Sequence, residues 1–260
     1  MRILLRVLFT LLCSWVCCQT ALAGPNAGGT LILALSEGTA YSPDIDYCQS
    51  VTATSCEAAV YNTGSAYEGE TVVLNCLAAF PVAGRLAGIT FGVNYDPNSV
   101  AVIDFGACGD FELPDPSWPV PLSGTAVTWS FRRTEQLVPV YWFAAYSYNY
   151  AVPYSLTLRI HPTQGGNFAD DSVPAVLDPI EGFGAFGFND AGALPCPVVG
   201  EPTGACCFAD GTCSVETEAD CATAGGSYQG NDTTCEPNPC DQPTGACCFA
   251  DGSCSIQTSA

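Results

Sequence analysis

Residues Leu86 to Val100 read LAGITFGVNYDPNSV, and this stretch decides the fold. Apolar side chains recur at every second position, at Ile89, Phe91, Val93 and Tyr95. Alternate residues of a β-strand share one face, so the pattern predicts a strand with one face turned toward a core. Asp96-Pro97-Asn98 follows, and these residue types favour a turn. The stretch therefore predicts a strand, a turn and a second strand.

Short runs of the same kind lie on both sides of this stretch, separated by Gly, Pro, Asp and Asn. No comparable segment has the pattern of a long amphipathic helix. Many short strands without helices between them predict an all-β fold, an antiparallel sandwich or barrel. The predicted strands are Thr30 to Leu35, Thr71 to Phe80, Leu86 to Tyr95, Ser99 to Phe105, Thr125 to Phe131, Leu137 to Tyr146, Tyr154 to Ile160 and Phe183 to Phe188.

Two neighbouring segments resemble known sandwich families. GETVVL at Gly69 to Leu74, followed by the Leu86 to Val100 stretch, is similar to the cohesin-like and carbohydrate-binding sandwich families. Early strands of those families run G-x-x-V-x-V and then G-x-x-F-x-V-x-Y-D-P. The resemblance implies an antiparallel β-sandwich of the jelly-roll or cohesin-like type, and it brings no ligand with it, because a fold does not carry a function.

A cysteine-rich unit repeats near the C-terminus. PTGACCFADGTCSVET at Pro202 to Thr217 recurs as PTGACCFADGSCSIQT at Pro243 to Thr258, a displacement of 41 positions. So small a unit buries little apolar surface and depends on disulfides. Asp210-Gly211 predicts a type I′ hairpin, and Thr217 is a candidate N-cap of a short helix that stops near Gly225. The tandem units resemble those of secreted bacterial proteins of unassigned function, which implies export but no activity.

The N-terminus has the three parts of a secretory signal peptide: two arginines, an apolar run from Val7 to Cys18, and Ala21-Leu22-Ala23 before Gly24. We expect cleavage after Ala23. The apolar run is too short to cross a bilayer, and no later segment is long and apolar enough, so we expect no membrane insertion. The next cysteine of the second repeat would fall two positions beyond Ala260, and further repeats or a sorting domain are expected there.

The predicted organisation has four parts. Residues 1–23 form the signal peptide, residues 24–195 the β-sandwich, residues 196–239 the first disulfide-rich repeat and residues 240–260 a truncated second repeat. The expected location is therefore secreted, extracellular or at the cell surface.

Fourteen of the 17 cysteines follow the predicted leader, an even number in a chain sent to an oxidising compartment, so disulfides are expected. A repeat counted from Cys206 to Cys240 leaves the sandwich with an odd number of cysteines, whereas one counted from Cys196 to Cys235 leaves it with four. We therefore favour the second count. The expected bridges inside the sandwich are Cys48 to Cys56 and Cys76 to Cys108, with the two other pairings left open. The expected disulfide cysteines are Cys48, Cys56, Cys76, Cys108, Cys196, Cys206, Cys207, Cys213, Cys221, Cys235 and Cys240.

The chain is strongly acidic, with 26 Asp and Glu, no lysine and a formal charge of −20 at pH 7. Nucleic acid and anionic membrane are repelled by such a surface, because affinity for phosphate arrays comes from Lys and Arg. Cations are better suited as small partners. A structural Ca²⁺ ion is therefore the one cofactor considered, with Asp170 and Asp171 as candidate ligands, although a solvated acidic loop explains these residues more simply.

Three other kinds of chemistry have candidate residues. Paired carboxylates suit an extracellular polysaccharide hydrolase. The single histidine, His161, suits the general base that activates a serine or cysteine nucleophile. No Gly-x-Ser-x-Gly segment occurs, so His161 is better explained as a strand-end residue before a turn. Clustered cysteines suit zinc, but an oxidising compartment favours disulfides. The candidate carboxylates are Asp110, Glu112, Asp115, Asp170, Asp171, Asp178 and Glu181.

An aromatic run from Tyr141 to Tyr150 offers a recognition surface. If the strand continues, its tyrosines share one face at period two, and a row of rings stacks on sugar rings. Core packing is the alternative, because aromatic strands commonly fill an interior. The recognition candidates are Trp142, Tyr146, Tyr148 and Tyr150.

These patterns together predict a secreted, non-catalytic binding or structural protein. In this interpretation a β-sandwich recognition domain is displayed on a disulfide-rich stalk, with polysaccharide or another extracellular protein as its partner. The alternatives are an extracellular polysaccharide hydrolase that uses paired carboxylates, and an envelope component without a ligand.

Overall fold

The computed structural model describes residues 24–63, 69–148, 152–198, 203–231, 233–240, 244–248 and 254–258, the last two ranges by their backbone alone. The predicted signal peptide and Tyr150 lie outside the described residues. The chain divides into two compact units, Met1–Val198 and Val199–Ala260. In the described part, no helix is both long and apolar enough to cross a membrane.

The first unit is a sandwich of two β-sheets, which confirms the predicted all-β fold. One sheet has four antiparallel strands in the order β1-β3-β8-β5. All eight predicted strands are present in the unit, with ends that differ by at most two residues from those expected. The strands of the first sheet are β1 (Thr30–Leu35), β3 (Val72–Ala79), β5 (Val100–Ala107) and β8 (Leu137–Ser147).

The second sheet is larger and has the order β11-β10-β4-β9-β12-β2, with β7 paired to β4 and β6 to β7. Its pairs are antiparallel except for β12 with β2. The short strands β2, β6, β10 and β11 were not predicted. The strands are β2 (Asn62–Thr63), β4 (Leu86–Asn94), β6 (Phe111–Pro114), β7 (Gly124–Arg133), β9 (Tyr154–Arg159), β10 (Asn167–Ala169), β11 (Leu177–Pro179) and β12 (Ala185–Phe188).

The predicted turn after β4 crosses from one sheet to the other, because β4 belongs to the second sheet and β5 to the first. Asp96 shapes this turn: its carboxylate accepts hydrogen bonds from the Asn98 N–H at 2.9 Å and the Ser99 hydroxyl at 2.8 Å. These hydrogen bonds hold the pKa of Asp96 below its usual value.

The core lies between the two sheets and is rich in aromatic side chains. Ile89, Phe91 and Val93 of β4 are buried in it, as their spacing predicts, and Tyr95 packs partly buried beside them. Phe91 meets Tyr141 of the opposite sheet edge to face, with ring centroids 6.0 Å apart. Burying such rings is the main apolar contribution to folding.

A long connection also covers the outer face of the first sheet. We call residues 36–61, between β1 and β2, the covering segment. Its residues Tyr47 and Cys48 pack on Trp142 and Ala144, and Cys56 packs on the outer side of β1 and β3. Every residue of β1 and β3 is consequently buried, since both faces of these strands are covered.

Two disulfides hold the covering segment, and they correct the expected pairing. Cys48 bonds to Cys108 and Cys56 to Cys196, so the predicted bridges of Cys48 to Cys56 and Cys76 to Cys108 are wrong. Cys76 is buried and unbridged. It points into the core between the sheets, whereas Cys108 packs with the covering segment on the outer face.

The second unit begins with the repeat, which forms a hairpin and one short helix. Strands β13 (Thr203–Cys207) and β14 (Cys213–Thr217) are followed by α1 (Glu218–Thr223) and β15 (Ser227–Tyr228). The Thr217 hydroxyl accepts a hydrogen bond from the Asp220 N–H, which confirms the predicted N-cap. The turn is not type I′, because Gly211 has positive φ and Asp210 does not.

Three bridges close this repeat, namely Cys206 to Cys221, Cys207 to Cys240 and Cys213 to Cys235. The repeat therefore runs from Cys206 to Cys240, and the favoured count that gave it Cys196 is wrong. Cys196 belongs to the sandwich through its bond to Cys56. The second repeat forms the equivalent hairpin of β16 (Thr244–Cys248) and β17 (Cys254–Thr258), in the same register as β13 and β14.

Candidate recognition site

A pocket of about 540 Å³ opens where β1 leaves the first sheet and β3 enters it. One wall is the start of the covering segment and the other is the entry to β3. Side-chain hydroxyls, one carboxylate and one phenol ring lie in its wall together with apolar side chains. The lining residues are Leu35, Ser36, Gly38, Thr39, Ala40, Tyr41, Glu70, Thr71 and Val72.

The first wall follows from a tight turn. The Thr39 N–H donates to the Ser36 carbonyl at 3.2 Å, and the Ser36 hydroxyl donates to the Thr39 hydroxyl at 2.8 Å. Gly38 has a φ of 72°, a conformation that favours glycine. The turn therefore directs the chain away from β1 and toward Tyr41.

Tyr41 is fixed at the rim of the pocket by β5. Its hydroxyl donates to the Asp104 carboxylate at 3.0 Å, and Asp104 lies opposite Ala144 of β8. Partial burial, and then the hydrogen bond to Asp104 and its negative charge, raise the pKa of Tyr41. The ring consequently stays neutral at physiological pH.

Two of the predicted recognition tyrosines lie at the end of β8, which pairs with the start of β3 that lines the pocket, although neither is itself a lining residue. Val72, which lines it, pairs with Ala145, the residue before Tyr146. Tyr148 is 57% exposed, and its ring centroid is 5.2 Å from that of Tyr146. The rings are inclined by 80°, so they form a corner and not the expected flat row. Tyr150, the third member of the predicted row, is outside the described residues.

Two tyrosines around this corner, Tyr146 and Tyr95, have a raised pKa. Burial, and then the neighbouring Tyr148, raise the pKa of Tyr146. Burial and then Tyr148 also raise the pKa of Tyr95, whose hydroxyl donates to the Pro119 carbonyl at 3.1 Å. Neutral rings and hydroxyls of this kind offer apolar faces together with hydrogen-bond donors.

Trp142 does not share this surface. It is only 5% exposed and meets Tyr47 of the covering segment edge to face, with ring centroids 5.0 Å apart. The period-two pattern places Trp142 on the same face of β8 as Tyr146, but the covering segment lies over that part of the strand. Its role is packing.

The two candidate calcium ligands are bound to protein groups. Asp171 bridges two arginines, with contacts of 2.6 Å to Arg85 and 2.8 Å to Arg132. Asp170 accepts hydrogen bonds from the Val176 N–H at 2.7 Å and from Ser172. The hydrogen bond from Arg132 is the first cause that lowers the pKa of Asp171, and the Ser172 hydroxyl does the same for Asp170. Both carboxylates thus organise their own loop.

The carboxylates considered for hydrolysis also have structural partners. Glu112 accepts from the Thr125 hydroxyl at 2.7 Å, Asp115 from the Gly124 N–H at 2.9 Å, and Asp110 from the Ser130 N–H. The pocket beside Tyr41 contains one of the chain's carboxylates, Glu70, in its lining. Glycoside hydrolysis by a general acid and a general base would require two carboxylates that face one cleft.

His161 lies two residues after the end of β9 and is 1% exposed. Its Nδ1 accepts the N–H groups of Thr163 and Gln164, each at 3.2 Å, which shapes the turn that its position predicts. The Nε2 atom is 3.8 Å from the Asp115 carboxylate. This burial in a turn fits the structural interpretation of His161.

The sulfurs considered for zinc lie in the second unit. Those of Cys207, Cys213 and Cys240 are within 4.8 Å of one another, because two bridges meet at the end of the β13 and β14 hairpin. Each of these sulfurs is bonded to another cysteine. A disulfide sulfur is not a thiolate, the form that binds zinc.

Sequence reasoning missed the pocket residues of the covering segment. Ser36, Thr39 and Tyr41 have no strand or helix period and match no motif. The available signal was the length of the connection between the first predicted strand and the next, because long loops in compact domains are often functional.

No family model matches the sequence, and no curated protein matches it. Among solved structures, similarity is found to the cohesin module of a family 33 glycoside hydrolase from Clostridium perfringens, with a TM-score of 0.39 and 7% identity over 61% of this chain and 93% of that one. The seventh ScaB type I cohesin of Pseudobacteroides cellulosolvens gives a TM-score of 0.35 and 14% identity, covering 48% and 84%. A type I cohesin–dockerin complex from Clostridium thermocellum gives 0.35 and 8%, covering 59% and 91%. At these low TM-scores the similarities carry no conclusion about what this chain binds.

Proposed function

We propose that this is an exported, non-catalytic binding protein whose sandwich recognises a neutral polysaccharide at the pocket edged by Tyr41, Tyr146 and Tyr148. The disulfide-rich repeats would display that domain outside the cell. Five bridges among the described cysteines support an extracellular location, because disulfides persist in oxidising compartments.

The corner made by Tyr146 and Tyr148 beside the pocket is the observation that carries the proposal. Exposed tyrosine faces stack on the apolar faces of sugar rings, and hydroxyls in the pocket suit the hydroxyls of a sugar. The volume of about 540 Å³ is in the range of small-ligand sites, which favours one or two sugar residues over a broad protein patch. The charge of −20 opposes an anionic polymer.

The test is the substitution Tyr148→Ala, alone and with Tyr146→Ala, in a protein that spans the sandwich and the repeats. Loss of an exposed ring that stacks on the ligand is expected to weaken binding by about 1 to 2 kcal/mol, or about five- to thirtyfold. The loss of affinity is measured as reduced retention of the protein on neutral soluble and insoluble glycans. Phe131→Ala is the matched control, because Phe131 is 85% exposed on β7 of the other sheet.

The same incubation separates the other interpretations. Retention without released sugar, reduced by Tyr148→Ala and not by Phe131→Ala, supports the proposal. Released reducing ends would replace it with the polysaccharide hydrolase. Binding to none of the glycans would replace it with a structural component or with a protein-binding module.

A further inference from the structure

The first described residues dock into the sandwich at a buried carboxylate. The Gly24 nitrogen donates to Oδ1 of Asp178 at 2.7 Å, and the Asn26 N–H donates to Oδ2 at 2.9 Å. Asp178 belongs to β11, opposite the core residue Phe168, and is 3% exposed. Asn26 is fully buried and exchanges hydrogen bonds with the backbone of Arg85. The segment is therefore fixed to the domain.

Asp178 has no cationic partner among the described residues. A buried carboxylate is costly unless it is paired with a positive charge as well as hydrogen-bonded. Arg85 is the arginine whose backbone lies beside this segment, and its side chain pairs with Asp171 instead. The charged groups on the surrounding segments are Arg85, Asp170, Asp171 and Glu181.

Position 24 is also crowded, so that a Cβ atom there would require neighbouring side chains to shift. A Cβ atom there would overlap the Asp178 carboxylate and the side chain of Val176. Ala21-Leu22-Ala23, the small-residue pattern that predicts cleavage by a leader peptidase, ends directly before this glycine. Two independent observations thus converge on the nitrogen of Gly24.

We propose that cleavage of the Ala23–Gly24 bond creates the missing cation, and that the new α-ammonium group of Gly24 is the counter-ion of Asp178. Hydrolysis adds one water molecule: it leaves a carboxylate on Ala23 and an amine on Gly24, which takes up a proton at neutral pH because α-amino groups have a pKa of about 7.7 to 8.0. The uncleaved amide supplies a hydrogen bond but no charge. Removal of the leader would thus complete the fold of the sandwich, an inference that rests on the export proposed above.

The composition makes the proposal easy to test. Residues 24–260 contain no lysine, so in a protein made of these residues the α-amino group of Gly24 is the only primary amine. An ion pair with Asp178 favours the protonated form, which does not react with electrophiles. Reductive methylation at pH 7, followed by intact mass measurement, therefore reports on this one group.

We expect the native mature protein to be methylated about tenfold more slowly than its Asp178→Asn variant, because the ion pair raises the pKa of the amine. Asp171→Asn is the matched control: it removes the same charge from a nearby residue that does not contact Gly24, and it should leave the rate unchanged. A protein that retains Ala23 provides a second comparison with Asp178 intact. The α-amino group of this extended protein is displaced by one residue and should react as fast as that of Asp178→Asn. The comparison holds even if the Asp178→Asn variant folds poorly.

Equal methylation rates in the mature protein, in Asp178→Asn and in the Ala23-extended protein would overturn the ion pair. Processing is tested separately, by the intact mass of the protein exported with its own leader. A first residue other than Gly24 would overturn the processing step. The ion pair between Gly24 and Asp178 would still be tested on protein made to begin at Gly24. Neither the methylation test nor the test of processing depends on glycan binding.

Discussion

Gly226 shows how closely the second unit packs around its sulfurs. A Cβ atom at this position would overlap Sγ of Cys206 and lie 3.0 Å from Sγ of Cys221, the two atoms of one bridge. We therefore expect Gly226→Ala to prevent this bridge from closing. The measurement is alkylation of the refolded protein and mass spectrometry of the peptides that contain the two cysteines.

The neighbouring glycine separates this effect from backbone strain. Gly225 has a φ of 77° and no atom within 4 Å of a Cβ built on it. Gly225→Ala should cost about 1 kcal/mol in stability and leave all three bridges formed. Full closure of Cys206 to Cys221 in Gly226→Ala would contradict the packing explanation.

Among the structural elements, the covering segment governs the proposed site. It supplies one wall of the pocket and covers Trp142, and its bridge from Cys48 to Cys108 links residues 60 positions apart. Replacing both cysteines by alanine should lower the free energy of unfolding by about 2 to 5 kcal/mol and loosen the segment. Tryptophan emission should shift to the red, and retention on glycans should fall with it.

Removal of the Cys206 to Cys221 bridge in the other unit is the control for that experiment. The three tryptophans beyond the predicted leader, Trp118, Trp129 and Trp142, all belong to the first unit, so their emission should not respond. An unshifted emission spectrum after loss of the Cys48 to Cys108 bridge would show that the segment stays in place without it.

The strands were predictable from the sequence because their pattern is local. Period-two alternation in β4 reports directly on which side chains face a core. The covering segment was not predictable, because what holds it is distant in the chain: Cys56 and Cys196 are 140 positions apart. For the same reason the period of β8 placed Trp142 and Tyr146 on one face of the strand, but it gave no sign that Trp142 is covered there.

At the scale of the whole molecule, acidification has two opposed effects. The charge of −20 makes the folded chain repel itself, and protonation relieves that repulsion. Against this, several carboxylates have a pKa lowered in the fold by hydrogen bonds and, for Asp171, by its arginines. A lowered pKa contributes stability that is present above the unfolded value of about 3.9 and is lost as the pH falls through the folded value. These carboxylates are Asp96, Asp110, Asp170, Asp171 and Asp210.

We therefore expect the melting temperature to hold or rise slightly from pH 7 to about pH 5 and to drop below about pH 4, where hydrogen-bonded carboxylates become protonated. The melting temperature is measured by calorimetry from pH 7 to pH 3, in low and in moderate salt. Added NaCl should raise the melting temperature at pH 7, because it screens the repulsion, and should matter less near pH 4, where little net charge remains to screen. A melting temperature that rises continuously down to pH 3 would show that repulsion outweighs the carboxylate hydrogen bonds, and that the lowered pKa values of these loops contribute little to the fold.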